Sequence, residues 1–175
     1  MQRPEYSEYD AYYRLYVDKV PDGDIFETLD TSGQHTRHLL NGAPEHWGSF
    51  RYEPGKWTLG EVIGHLVDTE RVFGYRALCF ARGETAELPS MDQNIYAAGS
   101  NAADRDLVSL LAEHDVVRQS TLALLRSFAP SVHLKTGTAS GCPFSVRTFA
   151  WIIAGHEIHH RKVIEDRYVA RLQSP

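Results

Sequence analysis

The chain has 175 residues, of which 42% are hydrophobic and 23% are charged, and its formal net charge is -5. This length favours one domain over residues 1–175, and the composition is typical of a folded globular protein. The negative charge excludes a general nucleic-acid-binding protein, because phosphate contacts need a concentrated basic face and the chain has no run of lysine and arginine.

The sequence carries no membrane or export signal. No segment reaches about 18 consecutive apolar residues, and the first six residues lack the apolar stretch of a secretory signal. We therefore expect a cytoplasmic protein without a membrane partner. Cys79 and Cys142 lie far apart in the sequence, which fits two reduced thiols better than a disulfide framework or a thiolate zinc site.

The first half of the chain predicts three helices. A tyrosine-rich stretch over residues 7–20 predicts a short helix that a Pro-Asp-Gly turn ends, and a second helix follows over residues 25–40. Residues 44–55 contain two prolines and two glycines and predict a loop. Thr58 and Glu61 then fit a capping box, which predicts a long helix ending at Gly83.

The second half predicts two more long helices. Residues 84–102 form a connection with a short helical turn near residues 92–98, and a helix follows over residues 103–128. Residues 131–143 predict a crossover loop, after which Ser145 begins a last helix that continues almost to the carboxyl terminus. The pattern predicts an all-α four-helix bundle with a short extra amino-terminal helix and long crossover loops, in preference to globin-like packing.

Histidines on the last predicted helix give the clearest indication of chemistry. At about 100° per residue, His156 and His160 lie within roughly 20° of the centre of the apolar stripe that contains Phe149. His159 and Glu157 lie roughly 80° away on opposite sides. A buried imidazole needs partners for its ring nitrogens, so His156 and His160 are candidate metal ligands.

A third candidate ligand, His65, lies on the shoulder of the apolar stripe of the helix that Thr58 begins. If that helix packs against the last one, three imidazoles converge on one point. Three protein ligands leave coordination positions open for water or substrate, as in catalytic metal sites. Neutral imidazoles suit a divalent metal such as zinc, nickel, iron or copper, so the donor set does not select among these metals. The divalent ion that we expect is zinc or nickel.

The remaining isolated histidines predict no site. We expect surface or hydrogen-bonded side chains at five positions: His35, His38, His46, His114 and His133.

Two further patterns are weaker candidates for catalysis. Residues 156–160 satisfy the His-Glu-x-x-His pattern of zinc proteases, but only 15 residues follow His160, and Val163 stands where metzincins need glycine. Cys79 lies about 20 Å along the helix from His65, so a packed core thiol is expected there instead of a nucleophile.

Two sequence blocks resemble the DinB-like, or YfiT-like, family of metal-dependent proteins. Residues 56–70 (KWTLGEVIGHLVDTE) look like the block W-[ST]-x-x-E-x-x-x-H-[LI]-x-D-x-E of this family, and residues 147–160 (RTFAWIIAGHEIHH) look like its closing block H-x-x-H-H. The resemblance implies a four-helix bundle over nearly the whole chain and a metal-binding triad of His65, His156 and His160.

The resemblance also implies a class of reaction. Members with known roles include S-transferases that use bacillithiol or a related low-molecular-weight thiol, and mycothiol-dependent isomerases. We therefore expect a metal-dependent enzyme that transfers such a thiol to a small electrophile, with metal-dependent hydrolysis as the alternative. Asp68 and Glu61 lie one turn from His65 and could orient a ligand or a bound water molecule, although a surface carboxylate and a helix cap explain them equally well.

Two other classes of function stay open. In a non-catalytic metal-binding stress protein, the ion would only link two helices. In an interaction module, the aromatic residues of the amino terminus and the first loop would form a homodimer surface, although packing over the bundle is the more ordinary explanation. These aromatic residues are Tyr6, Tyr9, Tyr12, Tyr13, Tyr16, Trp47, Phe50 and Tyr52.

Overall fold

Four long helices form most of the computed structural model, which describes residues 1–173. The second and third helices each pack against both the fifth and the sixth, so the four form a bundle in which the second and third lie diagonally opposite. The predicted four-helix bundle is confirmed. In chain order the helices are α1 (Arg14–Val17), α2 (Ile25–Leu40), α3 (Leu59–Arg82), α4 (Gln93–Gly99), α5 (Leu107–Arg126), α6 (Val146–Val163) and α7 (Ala170–Leu172), with the π-helical stretch Ile164–Val169 joining the last two.

Local sequence signals set the bounds of α3, the longest helix. The Thr58 hydroxyl accepts from the amide of Glu61 at 3.1 Å, and the Glu61 carboxylate accepts from the amide of Thr58 at 2.6 Å, as the capping box predicts. Gly83 ends the helix with a φ of 89°, a left-handed conformation that glycine adopts without steric cost. Within residues 1–173, no helix combines the length and hydropathy needed to cross a membrane.

Three predicted elements differ from the structure. The segment 131–143, expected to be a loop, contains all of β1 (Thr136–Ala139) and the first two residues of β2 (Cys142–Ser145), and the two strands form an antiparallel hairpin. The helix predicted from residue 103 begins at Leu107, because the Asp106 carboxylate accepts from the amide of Ser109 at 2.6 Å. Residues 7–20 form two 3-10 turns and the short α1 instead of one helix.

A layer of polar side chains crosses the middle of the bundle. Two apolar clusters lie on either side of it, one around Phe73, Phe80 and Phe149, the other around Leu59, Leu110 and Ile164. All four long helices contribute to the layer, so its contacts depend on the packing of the whole bundle. Its members are Ser32, Thr36, His65, Thr69, Glu70, His114, Arg118, His156, Glu157 and His160.

The aromatic amino terminus packs over the bundle. Tyr9 and Tyr16 are buried, whereas Tyr6 and Tyr12 are more than half exposed. Glu8 anchors this segment, because its carboxylate accepts from Arg147 and from the Ser145 hydroxyl at the start of α6. The segment thereby covers one side of the polar layer.

A candidate metal centre between α3 and α6

Three histidines from α3 and α6 meet in the polar layer. The Nε2 atoms of His65 and His156 lie 3.0 Å apart, and the ring of His160 lies beside both. Each ring offers a nitrogen, and these nitrogens all lie within 4.8 Å of one another. The structure thus brings together the three residues that the sequence nominates as ligands.

Close packing at two glycines lets neighbouring segments approach the histidines. A Cβ atom on Gly155 would lie 2.0 Å from the carbonyl oxygen of Tyr16, so only glycine allows the amino-terminal segment to lie against α6. A Cβ atom on Gly64 would lie 2.8 Å from the Cβ atom of Ala102. As a result, the Tyr16 ring contacts the His156 ring edge-on, with 5.1 Å between their centroids.

Thr69 orients His65. Its hydroxyl lies 3.2 Å from Nδ1 of His65, one helical turn away on the same face of α3. If Nδ1 carries the proton and donates it to this hydroxyl, the lone pair of Nε2 is directed toward the other two rings. A partner of this kind fixes the tautomer and orientation of a ligating histidine. The sequence alone does not identify Thr69, although its four-residue spacing from His65 places the two side chains on the same face of a helix.

Burial keeps the three rings neutral. It lowers the pKa of His65 from 6.5 to about 4. For His160, burial and then the proximity of His65 and His159 lower the pKa to about 3, and His156 is shifted in the same direction for similar reasons. Neutral imidazoles are the form that binds metal ions, so no proton has to be displaced at neutral pH.

The donor set fits a divalent metal ion. Nδ1 of His160 is buried and makes no hydrogen bond to any residue from 1 to 173. A buried ring nitrogen without a hydrogen-bond partner destabilises the folded state unless a ligand such as a metal ion binds it. Three neutral nitrogen donors around one point satisfy zinc, nickel and similar ions.

A pocket of about 390 Å³ opens beside the histidines. His65, Thr69, Phe73 and Arg76 line it along α3, and His156 lines it from α6. Tyrosines of the amino-terminal segment form its other wall, and the start of α4 forms its rim. The remaining lining residues are Tyr12, Tyr13, Tyr16, Val72, Met91, Asp92, Gln93 and Ser140.

Glu157 belongs to a different polar group. Its carboxylate accepts from the Thr36 hydroxyl at 2.9 Å and lies 2.7 Å from Nη2 of Arg118, which also pairs with Glu70. Burial alone would raise the pKa of Glu157, but the charge of Arg118 and the contacts of Arg118 and His114 lower it to about 2. A carboxylate engaged in this way cannot act as the general base of a His-Glu-x-x-His protease.

Neither carboxylate considered as an orienting group contacts the histidines. Glu61 caps the start of α3, and Asp68 lies 3.8 Å from Arg71 at the surface. The alternative explanations, a helix cap and a surface carboxylate, are therefore correct for these two residues.

The remaining predicted residues fall into place with one exception. His35, His38 and His46 are exposed and His133 is partly exposed, as expected. His114 is not at the surface: it is 1% exposed, and its Nε2 atom lies 3.2 Å from Oε1 of Glu157, so it is a buried partner of that carboxylate. Both cysteines are free thiols and partly buried; Cys79 packs against the core, and Cys142 lies in β2 instead of the expected loop.

Comparison with known proteins identifies the family of the chain and a solved structure with a similar fold. A family model of the DinB superfamily matches residues 28–164 of the chain. No curated protein gives a significant match. The chain is similar in structure to YfiT from Bacillus subtilis, which is described as a probable metal-dependent hydrolase with an unusual four-helix bundle topology. The two share 16% sequence identity over 92% of this chain and 99% of YfiT, with a TM-score of 0.74, which shows a common fold.

Proposed function

Because the chain belongs to the DinB superfamily, and because three neutral histidines meet beside a pocket, we propose that it is a metal-dependent enzyme acting on a small molecule. His65, His156 and His160 are the proposed ligands of a divalent ion, zinc or nickel. The observation that carries the proposal is the convergence of their ring nitrogens within 4.8 Å. The pocket against two of the three rings supports an enzyme over an ion that only links two helices.

The reaction that we propose is transfer of a low-molecular-weight thiol, of the bacillithiol type, to a small electrophile. A divalent cation in this site would lower the pKa of a bound thiol or water molecule and so supply a nucleophile at neutral pH. In the transfer, the thiol proton goes to solvent, the sulfur forms a bond to the electrophilic carbon, and the leaving group departs with the electrons of the broken bond.

The residues around the histidines serve this reaction by positioning and shielding. The Thr69 hydroxyl, 3.2 Å from Nδ1 of His65, would hold the ring in the tautomer that leaves Nε2 free for the metal. Trp57 covers the other side of His65 with 4.9 Å between ring centroids. Tyr13 and Tyr16 wall the pocket and restrict the access of water to the reacting groups. We place the enzyme in the cytoplasm, because its two free cysteines would stay reduced there.

The absence of a nearby carboxylate base favours a thiol over water as the nucleophile. Within residues 1–173, Asp92 is the only carboxylate that lines the pocket, and its Oδ1 atom already accepts from two backbone amides at the start of α4. A thiol ionises near pH 8.5, far more readily than water, so it needs less assistance. Hydrolysis is the second candidate, favoured by the description of YfiT, because a metal ion alone can also activate water.

Metal content is the first test of this proposal. We expect wild-type protein, purified without added metal and analysed for elements, to hold about one equivalent of a divalent ion. His65→Ala should lower the metal affinity more than 100-fold, because loss of a ligand exceeds the 10- to 100-fold effect of losing an outer partner. His159→Ala is the matched control, since its ring is next to His160 but is not one of the three converging groups.

A second measurement separates the two reactions. Consumption of a thiol in the presence of an alkylating electrophile should require both the metal and His65, whereas ester or amide hydrolysis should proceed without thiol. Full metal content in His65→Ala would refute the proposed site. If the protein holds a full equivalent of metal but the metal exchanges neither water nor thiol, the result would support the alternative, a non-catalytic protein in which the ion only links two helices.

A further inference from the structure

The pocket contains a buried positive charge that no carboxylate balances. Arg76 lies on α3 three turns after His65, is 3% exposed, and lines the same pocket as His65 and His156. Its Nη2 atom donates to the carbonyl oxygen of Pro89 at 2.7 Å and to the Ser140 hydroxyl at 2.9 Å. Both acceptors are uncharged, and so is its other neighbour, the Tyr13 phenol, since burial raises the pKa of Tyr13.

The other buried arginines show what is missing at Arg76. Arg118 is 2% exposed and pairs with the carboxylates of Glu70 and Glu157. Arg147 is 9% exposed and pairs with Glu8. Among residues 1–173, Arg76 is thus the one buried guanidinium without a carboxylate partner. Removing a charge from water destabilises the folded state unless an opposite charge compensates for it.

Two loops hold the Arg76 guanidinium in place. The hairpin carries Ser140 at its turn, and the segment before α4 carries Pro89. Leu88 links the two, because its amide donates to the Thr138 carbonyl and its carbonyl accepts from the Ser140 amide. The guanidinium is therefore positioned before any ligand arrives, as an anion-binding side chain should be.

We propose that Arg76 binds the carboxylate of an elongated acidic substrate or co-substrate whose reactive end lies at the three histidines. The inference rests on the proposed function for the role of the pocket. A planar guanidinium matches a carboxylate in charge and in hydrogen-bond geometry. The Cα atoms of residues 65 and 76 are roughly 16 Å apart along the helix, and the Arg76 side chain points back toward His65, so the ligand must be longer than a two-carbon acid.

The lining of the pocket describes the rest of the ligand. Phe73, Val72 and the tyrosines lie between the histidines and Arg76, which suits an apolar or aromatic body. Asp92 is the one carboxylate of the lining; it is exposed at the rim and accepts from the amides of Asn94 and Ile95. A carboxylate on the ligand would therefore be attracted to Arg76 and repelled by Asp92.

Binding of a matched pair of probes tests this inference without requiring activity. In calorimetry with chelator-treated, full-length protein, 3-phenylpropionate should bind at least tenfold more tightly than 3-phenylpropan-1-ol, in which a neutral hydroxyl group replaces the carboxylate. Arg76→Met should reduce this preference below about twofold and leave the affinity for the alcohol unchanged. Arg82 is an exposed arginine further along α3, so Arg82→Met is the control and should retain the full preference for the acid over the alcohol.

The same measurements can overturn the inference. Equal affinity for both probes in wild-type protein, or an undiminished preference in folded Arg76→Met, would refute it. If Arg76→Met does not fold by circular dichroism, an NMR titration of wild-type protein decides: the Arg76 side-chain signal must move with the acid and not with the alcohol. His65→Ala should keep the probe preference, so a failed metal site and a failed Arg76 subsite give different results.

Discussion

His156 and Glu157 are consecutive residues of α6, yet their side chains enter two different polar groups of the same layer. Glu157 joins Arg118, Glu70 and Thr36 in a buried ionic network in which opposite charges face each other. His156 joins two other neutral histidines at the wall of a pocket. In the network the charge of Arg118 faces two carboxylates, although Oε2 of Glu157 makes no aligned hydrogen bond. The three histidines face no opposite charge, and the buried Nδ1 of His160 has no hydrogen-bond partner within residues 1–173.

This difference separates a structural polar group from a functional one. Buried charges that pair within the protein stabilise one packing of the four helices but offer nothing to a ligand. Buried neutral donors that point at a common centre gain their partners only when something binds. Changing one group at a time tests this comparison, because the side chains of His156 and Glu157 project about 100° apart on α6 and contact different partners.

The largest effect on stability should follow from breaking the network. Arg118→Met leaves Glu70 and Glu157 buried without a positive partner, so we expect a loss of about 3–5 kcal/mol in the free energy of unfolding. Urea unfolding of purified protein measures it. Arg37→Met is the control, because Arg37 pairs with Asp115 at 2.5 Å on the surface and should cost less than about 1 kcal/mol. Equal losses in the two variants would contradict the comparison.

The two groups should also respond to acid in different pH ranges. The unfolded chain protonates His65 below about pH 6.5, whereas the folded protein holds the ring neutral until its pKa of about 4. Acid therefore favours the unfolded state, and His65 alone should lower the stability of metal-free protein by about 2 kcal/mol between pH 7 and pH 5. For Glu157, with a folded pKa of about 2, the stabilising contribution is complete above pH 4.5 and is lost as the pH falls toward 2.

Urea unfolding at pH 7, 6 and 5 tests this separation of ranges. His65→Leu removes the titrating ring, so its stability should fall less than that of the wild type over this interval. Bound metal should not reduce the fall in the wild type, because a metal-bound ring is also unprotonated in the folded state while the unfolded chain still takes up the proton. Parallel pH profiles for metal-free wild type and His65→Leu would show that His65 is not held neutral.

The bundle could be predicted because its helices are marked locally. The capping box at Thr58, the glycine at position 83 and the apolar periodicity are all local signals, and the structure follows them. The hairpin could not be predicted in the same way. Its strands are four residues long and contain Gly137 and Pro143, and they are held partly by pairing with Leu88, some 50 residues earlier.

The site was predictable to the extent that it depends on single helices. Helical angles select His156 and His160 as the inward pair and direct Glu157 away from them, as the structure has it. Which helix faces α6 is a tertiary question, so His65 could be proposed only on condition that α3 is the neighbour. The partners of His114, Arg118 and Arg76 come from other helices and loops, and no spacing along the chain indicates them.

Thr69 offers a finer test of how the histidine group is held. Thr69→Val keeps the shape of the side chain but removes the oxygen that lies 3.2 Å from Nδ1 of His65. Loss of such an orienting partner should weaken metal binding 10- to 100-fold. Competition with a coloured chelator measures the affinity, and Thr69→Ser, which keeps the hydroxyl, should restore most of it. Unchanged affinity in Thr69→Val would mean that packing alone orients the ring.

The smallest effect should come from Asp68, the carboxylate that stands one turn from His65 in the sequence. The structure places it next to Arg71 at 3.8 Å, half-buried at the surface and outside the pocket lining. Asp68→Asn should therefore change the metal affinity by less than about twofold, since a partly exposed ion pair outside the pocket contributes little. The same chelator competition provides the measurement. A tenfold loss of metal affinity would mean that the Asp68 carboxylate helps to orient the ligands. The three histidines would then depend on a charged side chain, as Glu157 depends on Arg118.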